Sequence, residues 1–109
     1  MAWVHVAGLA DMKEGQGVKI CHLGRVVAVF LTEGELYAVD DRCTHAEASL
    51  SEGEVFDSEV ECPLHGAVFD LVTGEALTFP ATRPVGTYPT RVEEGKVLVQ
   101  VPEDGPGSV

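Results

Sequence analysis

Short apolar runs rich in valine follow one another along this chain, and most end at a glycine or an acidic turn. Runs of this length and composition are typical of β-strands. Glycines in "EGE", "TGE" and "EEG" can take the positive φ that hairpins need, so neighbouring runs are expected to pair antiparallel. The only helical turn is expected within 9–15. The pattern therefore predicts an all-β domain with strands at 3–8, 17–22, 25–31, 36–40, 59–63, 67–71, 87–93 and 96–101.

The composition changes between Asp40 and Arg83, where the valine runs thin out and paired cysteines and histidines appear. We interpret this stretch as a subdomain of about residues 41–82, which carries the functional site and is inserted in the β framework. The framework and the insertion together form one domain, residues 1–101. The last segment, 102–109, is expected to be a flexible tail.

Size and charge limit the classes of partner. A chain of 109 residues can bury a core without disulfides, and its three cysteines are an odd number. No apolar run has the length of a signal or a membrane anchor, which favours the cytoplasm. The formal charge of −11 argues against nucleic acid and anionic membranes as partners and favours a basic protein surface, although it can also serve only solubility.

Two short motifs each combine one cysteine with one histidine. "CTH" at 43–45 contains Cys43 and His45, and "CPLH" at 62–65 contains Cys62 and His65, with sixteen residues between the motifs. Two thiolates and two imidazoles suit zinc or an iron–sulfur cluster. Because each loop offers one ligand of each kind, a binuclear centre can be held with both cysteines on one iron and both histidines on the other. A mononuclear zinc site stays open.

The motifs and their surroundings resemble Rieske-type ferredoxins over nearly the whole chain. The resembling stretches are "CTHAEASLSEGEV" (43–55), "ECPLHGAVFDLVTGEAL" (61–77) and the proline loop "FPATRPV" (79–85). The resemblance implies a Rieske fold, an antiparallel β sandwich of three sheet layers with the cluster-binding subdomain at one tip. It also implies one [2Fe–2S] cluster per chain, with four ligands: Cys43, His45, Cys62 and His65.

The resemblance further implies a function in electron transport. The sequence shows no nucleophile–base pair, GxGxxG motif or P-loop, so we expect a carrier of single electrons rather than an enzyme. The closest family parallel is the soluble ferredoxin component of bacterial ring-hydroxylating dioxygenases. Such a ferredoxin takes electrons from an NAD(P)H-dependent flavin reductase and passes them to a terminal oxygenase. We expect a monomer that docks both partners at the cluster tip.

High-potential relatives differ at four positions. They carry an additional cysteine in each ligand loop, where this chain has Ala48 and Leu64. They also carry a serine and a tyrosine where this chain has Ala67 and Phe69. Hydroxyls that donate to cluster sulfur raise the potential, so their absence predicts a low-potential carrier.

Other assignments stay open at this level. Alternatives are a redox subunit of a nitrite-reductase-type enzyme, a carrier for iron–sulfur assembly or another housekeeping pathway, and a structural zinc or redox-sensing domain. Cys21, in a valine-rich strand, is expected to be a buried, inert thiol. Four acidic residues around the first ligand loop either form a docking face or are simply solvated: Glu47, Glu52, Glu54 and Asp57.

Overall fold

The computed structural model describes residues 2–43, 48–64, 66–78 and 83–102, and these ranges consist mainly of antiparallel strands. Two short 3-10 helices, Leu9–Asp11 and Leu50–Glu52, interrupt them. The ten strands in these ranges are Ala2–Gly8 (β1), Gly17–His22 (β2), Arg25–Thr32 (β3), Glu35–Asp40 (β4), Glu54–Phe56 (β5), Glu59–Glu61 (β6), Val68–Asp70 (β7), Thr87–Tyr88 (β8), Thr90–Glu93 (β9) and Lys96–Val101 (β10).

The strands form three antiparallel sheets, with orders β1-β10-β9, β2-β3-β4-β8 and β5-β6-β7. This arrangement confirms the predicted all-β class with three sheet layers. The first two sheets pack face to face over a cluster that we call the sandwich core. Its buried members are Met12, Val27, Val29, Ala38, Val97, Val99 and Val101.

A second cluster, the loop core, fills the space between the four-stranded sheet and the β5-β6-β7 sheet. It contains both cysteines of the two motifs, Cys43 and Cys62. Val60 and Phe69 are direct partners across β6 and β7, and both are fully buried in it. Its buried members are Ala28, Phe30, Val39, Cys43, Leu50, Val60, Cys62, Ala67, Phe69, Leu71 and Val85.

Strand β3 takes part in both cores. Successive side chains of a strand point to opposite faces of its sheet. Val27 and Val29 therefore enter the sandwich core, while Ala28 and Phe30 enter the loop core, and all four are fully buried. This double burial explains why the sequence there is a continuous apolar run rather than an alternation of apolar and polar residues.

The predicted strands correspond closely to the observed ones, with two differences. The run 87–93 is divided at Pro89, which has no N–H to donate to a ladder. On either side of it, β8 pairs with β4 and β9 pairs with β10, so the chain changes sheets at this residue. Strand β5 was not predicted. The helical turn expected within 9–15 is the 3-10 helix Leu9–Asp11.

The proposed subdomain bounds, 41–82, and the tail 102–109 remain predictions. Residues 103–109 lie outside the described ranges. Across those ranges, no helix has both the length and the apolar character needed to span a membrane.

Candidate metal centre

The first ligand loop follows β4, and hydrogen bonds to its backbone fix its two ends. The N–H of Cys43 donates to the carbonyl oxygen of Ala48 over 3.0 Å, which brings the two ends of this segment together. Just before it, the carbonyl oxygen of Asp41 accepts from the N–H of Leu50 at 2.6 Å, and Asp41 Oδ1 accepts from the N–H of Ser51 at 3.0 Å. These bonds fix the backbone on both sides of Cys43.

The second ligand loop lies between β6 and β7 and closes in the same way. The N–H of Cys62 donates to the carbonyl oxygen of Ala67 at 2.6 Å. In both loops the cysteine thus bonds to the carbonyl five residues further along the chain. Gly66 has φ of +73°, a conformation that glycine adopts without the strain a side chain would bring.

The two loops bring the two cysteines together. Both are nearly inaccessible, with 2% of Cys43 and 1% of Cys62 exposed, and both are free thiols. Their side chains belong to one buried cluster and interact with each other. Burial is the main cause that raises the pKa of Cys62 to about 11, and the neighbouring Cys43 and Glu61 raise it further. The N–H of Leu64 donates to the Cys62 sulfur and lowers this pKa.

Comparison with known proteins identifies this arrangement. The family model of the Rieske [2Fe-2S] domain matches residues 2–89. The chain belongs to the Rieske [2Fe–2S] domain family. Its iron–sulfur character follows from that membership.

Relatives of this Rieske protein include ferredoxins of dioxygenases. It is 46% identical, over 94% of its length and 97% of the relative's, to the 3-phenylpropionate/cinnamic acid dioxygenase ferredoxin subunit of Escherichia coli (strain K12). The ferredoxin of carbazole 1,9a-dioxygenase from Nocardioides aromaticivorans IC177 superposes with a TM-score of 0.85 at 36% identity, covering 91% of this chain and 97% of that one. A chain from a complex of reduced oxygenase and oxidised ferredoxin in carbazole 1,9a-dioxygenase superposes with a TM-score of 0.84 at 37% identity. The match covers 89% of this chain and 100% of that one.

The residues present fit an iron–sulfur cluster. Cys43 and Cys62 supply two reduced sulfurs that lie side by side in a dry core, on two backbones already fixed. A bound metal reverses the effect of burial on a thiol, because its positive charge stabilises the thiolate. The N–H of Leu64 is also placed to donate to a cluster ligand, the type of contact that tunes such centres.

The other two expected ligands, His45 and His65, lie outside the described residues. In sequence, each falls between the cysteine and the carbonyl that close its loop. Within the described ranges, no three histidine, cysteine, aspartate or glutamate side chains come close enough to hold a metal ion. The structure therefore brings the two cysteines together, and the complete four-residue set stays a prediction.

A polar network joins the end of the proline loop to the start of the first ligand loop. Gly86 N–H donates to Asp40 Oδ2 at 2.7 Å, and the N–H of Asp40 donates to the Gly86 carbonyl at 2.9 Å. The Tyr88 hydroxyl donates to Asp40 Oδ1 and accepts from Arg25 Nη1 at 3.2 Å. Burial, followed by the Asp40 contact, raises the pKa of Tyr88 against the effect of Arg25. Sequence reasoning did not find this network, whose members are far apart in the chain.

The four positions that distinguish this chain from high-potential relatives are of two kinds. Ala67 and Phe69 are fully buried in the loop core that contains both cysteines. Leu64 is 45% exposed at the surface of the second loop, and Ala48 is half-buried. The first pair is thus placed to affect the cluster environment, while the second loop presents an apolar side chain outward.

The expectation for Cys21 was wrong, because this thiol is exposed. It lies on β2, an edge strand, where Ile20 packs against the sandwich core and Cys21 takes the opposite face. Three of the four acidic residues around the first ligand loop are exposed, namely Glu52, Glu54 and Asp57. The fourth, Glu47, lies outside the described residues.

Proposed function

We propose that this chain is a low-potential Rieske ferredoxin of a multicomponent ring-hydroxylating dioxygenase. It carries single electrons from an NAD(P)H-dependent flavin reductase to the terminal oxygenase, as a cytoplasmic monomer with one [2Fe–2S] cluster. The observation that carries this proposal is the 46% identity, along nearly the whole chain, to a dioxygenase ferredoxin subunit. The higher identity to relatives of this kind favours the dioxygenase assignment over a redox subunit of a nitrite-reductase-type enzyme, a carrier for iron–sulfur assembly or a zinc domain.

Different residues would bind the cluster and exclude water from it. Cys43 and Cys62 would hold one iron, and His45 and His65 would hold the other. When bound, the cluster supplies one reversible one-electron oxidation. Leu50 and Phe69, both fully buried, exclude water from the cysteine side.

The partner-facing surface combines apolar and acidic side chains. Pro63 and Leu64 of the second ligand loop are exposed, which suits the apolar centre of a transient interface. Glu52 and Glu54 are exposed nearby in the chain, after the first loop. With a formal charge of −11, association with a basic patch should weaken as salt rises.

Metal analysis tests the cofactor part of the proposal. Protein expressed with adequate iron should be red-brown and contain two irons and two acid-labile sulfides per chain. One zinc with no labile sulfide would refute it. Analytical ultracentrifugation of the same sample should give a monomer.

Electron transfer tests the functional part. The chemically reduced, iron-loaded protein is mixed in a stopped-flow instrument with the terminal oxygenase of the E. coli 3-phenylpropionate/cinnamic acid dioxygenase. Reduction of the oxygenase is followed by visible absorbance. We expect second-order transfer that slows with salt, and no transfer by protein without cluster. Absence of transfer under all salt conditions contradicts the assignment.

A matched pair of variants locates the acidic contact. Glu54→Lys should slow transfer, whereas Glu35→Lys should have a smaller effect. Glu35 is also exposed, but it begins β4 at the end opposite the ligand loop. Equal slowing by both variants would show that only the total charge matters.

A further inference from the structure

One buried carboxylate lies at the start of the first ligand loop and belongs to neither the ligand set nor the partner-facing surface. Asp41 is 4% exposed, and among the described residues it is the single aspartate or glutamate that is buried. Removal of a carboxylate from water is unfavourable unless other groups compensate its charge. The surroundings of Asp41 therefore decide what its charge can do.

Two side-chain contacts of Asp41 come from the described residues. Oδ1 accepts a hydrogen bond from the N–H of Ser51 at 3.0 Å, and Oδ2 lies 3.8 Å from Nζ of Lys19. The second distance is too long for a hydrogen bond. The Lys19 side chain is 48% exposed, so water and salt screen its charge. Lys19 therefore compensates the carboxylate only in part.

Asp41 and Cys43 lie on one face of a short extended segment. Arg42, between them, pairs antiparallel with Ser49. Asp41 and Cys43 are buried while Arg42 is exposed, which is the alternation of a strand. Two residues of extended chain span about 7 Å. The carboxylate is thus on the same face as a cysteine of the proposed ligand set and close to it along the backbone.

Asp41 also borders the space between the two ligand loops. An open cavity of about 670 Å³ is lined by Asp41 and Ala48 at the first loop and by Pro63 and Leu64 of the second. Leu64 is the residue whose N–H donates to the Cys62 sulfur. Only 5% of the Asp41 side chain is accessible, so little water screens its charge from this region.

A fixed negative charge in this place opposes reduction of a cluster. Reduction adds one electron, so the reduced centre is more negative than the oxidised one and is repelled more strongly by a nearby carboxylate. Repulsion of this kind lowers the midpoint potential. It acts in the same direction as the absence of hydroxyls at Ala67 and Phe69, but through charge instead of hydrogen bonds.

We propose that the buried carboxylate of Asp41 lowers the midpoint potential of the cluster, and that Lys19 moderates this effect. The inference rests on the proposed function, since it requires a bound [2Fe–2S] cluster. Asp41 is then a residue that tunes the carrier through its charge without holding the cluster or meeting the partner.

Asp41→Asn removes the charge and keeps an oxygen that can accept from Ser51. The equilibrium constant for reduction should rise about tenfold, which is an upward shift of about 59 mV for a one-electron couple. Protein-film voltammetry measures the shift. Glu35→Gln is the matched control, because it removes the same charge from the exposed far end of β4. Its potential should stay close to the parent's at about 0.15 M salt.

Lys19→Gln should shift the potential in the opposite direction. Loss of the ammonium leaves the carboxylate uncompensated, and the same equilibrium constant should fall by about threefold, a smaller change because Lys19 is half exposed. Lys13→Gln, at another exposed lysine, is the control. A loosened ligand loop would move Asp41→Asn and Lys19→Gln in one direction, whereas charge predicts opposite signs. Lys19 is at the surface, so this variant decides the question even if Asp41→Asn does not fold.

Salt separates a buried charge from a surface charge. The shift of Asp41→Asn should persist at about 1 M salt, where the Debye length is about 3 Å. Shifts of the same sign in Asp41→Asn and Lys19→Gln, or equal shifts in Asp41→Asn and Glu35→Gln, would overturn the inference. A parent that binds no cluster would refute the proposed function as well. A parent that binds its cluster, with variants at the parent's potential, would refute this inference alone.

Discussion

The sandwich core and the loop core are built by different means, although they share β3. Six of the seven buried residues of the sandwich core are valine or alanine on β3, β4 and β10. The loop core instead mixes phenylalanine, leucine, alanine and valine with two cysteines, and several of these residues lie outside strands. The first core therefore depends on strand alternation, and the second on loops closed by individual hydrogen bonds.

The difference separates stability from function. A valine layer between two sheets is stabilised by burial of apolar surface and needs no cofactor. The loop core contains two buried thiols whose best partner is a metal, so part of its stability is expected to come from the bound cluster. Substitutions in the two cores should accordingly affect different measurements.

The largest effect is expected from Cys62→Ala. Removal of one of two adjacent sulfurs should abolish cluster binding, with complete loss of visible absorbance and of labile sulfide. Cys21→Ser is the control, because that thiol is exposed on β2, and its spectrum should equal the parent's. Two irons retained in Cys62→Ala would disprove the ligand role.

Val60→Ala and Val99→Ala form a matched pair, because both valines are fully buried but lie in different cores. In each variant, the loss of two methyl groups and the resulting cavity should together lower the free energy of unfolding by about 2 kcal/mol. Urea unfolding of the metal-free proteins measures it. Only Val60→Ala should also accelerate iron release to a chelator. Equal acceleration by Val99→Ala would show that the cores do not behave separately.

Tyr88→Phe tests the link between the proline loop and β4. Loss of the hydroxyl that donates to Asp40 should cost about 1 kcal/mol, with allowance for partial exposure. Because the folded-state pKa of Tyr88 is raised, this contribution is complete below the ordinary tyrosine pKa of about 10 and is lost as pH rises through the folded value. Urea unfolding of both proteins between pH 7 and 12 measures it. A difference between them that stays constant over this range would contradict the assignment.

The smallest effects are expected from Ala67→Ser and Phe69→Tyr, which restore hydroxyls in the loop core. If about half of the free energy of a charge-assisted hydrogen bond differs between the two redox states, each substitution should raise the midpoint potential by about 30–65 mV. The parent should lie near the lower end of the Rieske range, about −150 mV. Protein-film voltammetry measures all three proteins at one pH. A parent above about +100 mV, or downward shifts in both variants, would refute the low-potential assignment.

The sandwich and the pairing of the cysteines could be predicted from the sequence. Strands 17–22 and 96–101 were predicted with their observed bounds, because alternation and flanking glycines define them locally. The resemblance to Rieske ferredoxins implied that Cys43 and Cys62 come together. In contrast, β5 is three residues long, with Glu54 and Phe56 exposed, and its strand form depends on pairing with β6.

The missed features depend on contacts between distant segments. Asp40 and Tyr88 are 48 residues apart, and the cavity beside Cys43 is lined by Arg25, Arg42 and Arg83 from three separate segments. No local pattern indicates such a meeting. The exposure of Cys21 is different, because alternation with Ile20 along an edge strand could have revealed it.

The position of strand β3 in both cores should determine how slowly its backbone amides exchange hydrogen with solvent. Its amides are bonded on both sides, to β2 and β4, and its side chains form a wall of both cores. Neither core can separate from this strand without disturbing the other. The backbone amides of Ala28 and Val29 should therefore exchange hydrogen with solvent only when the whole protein unfolds.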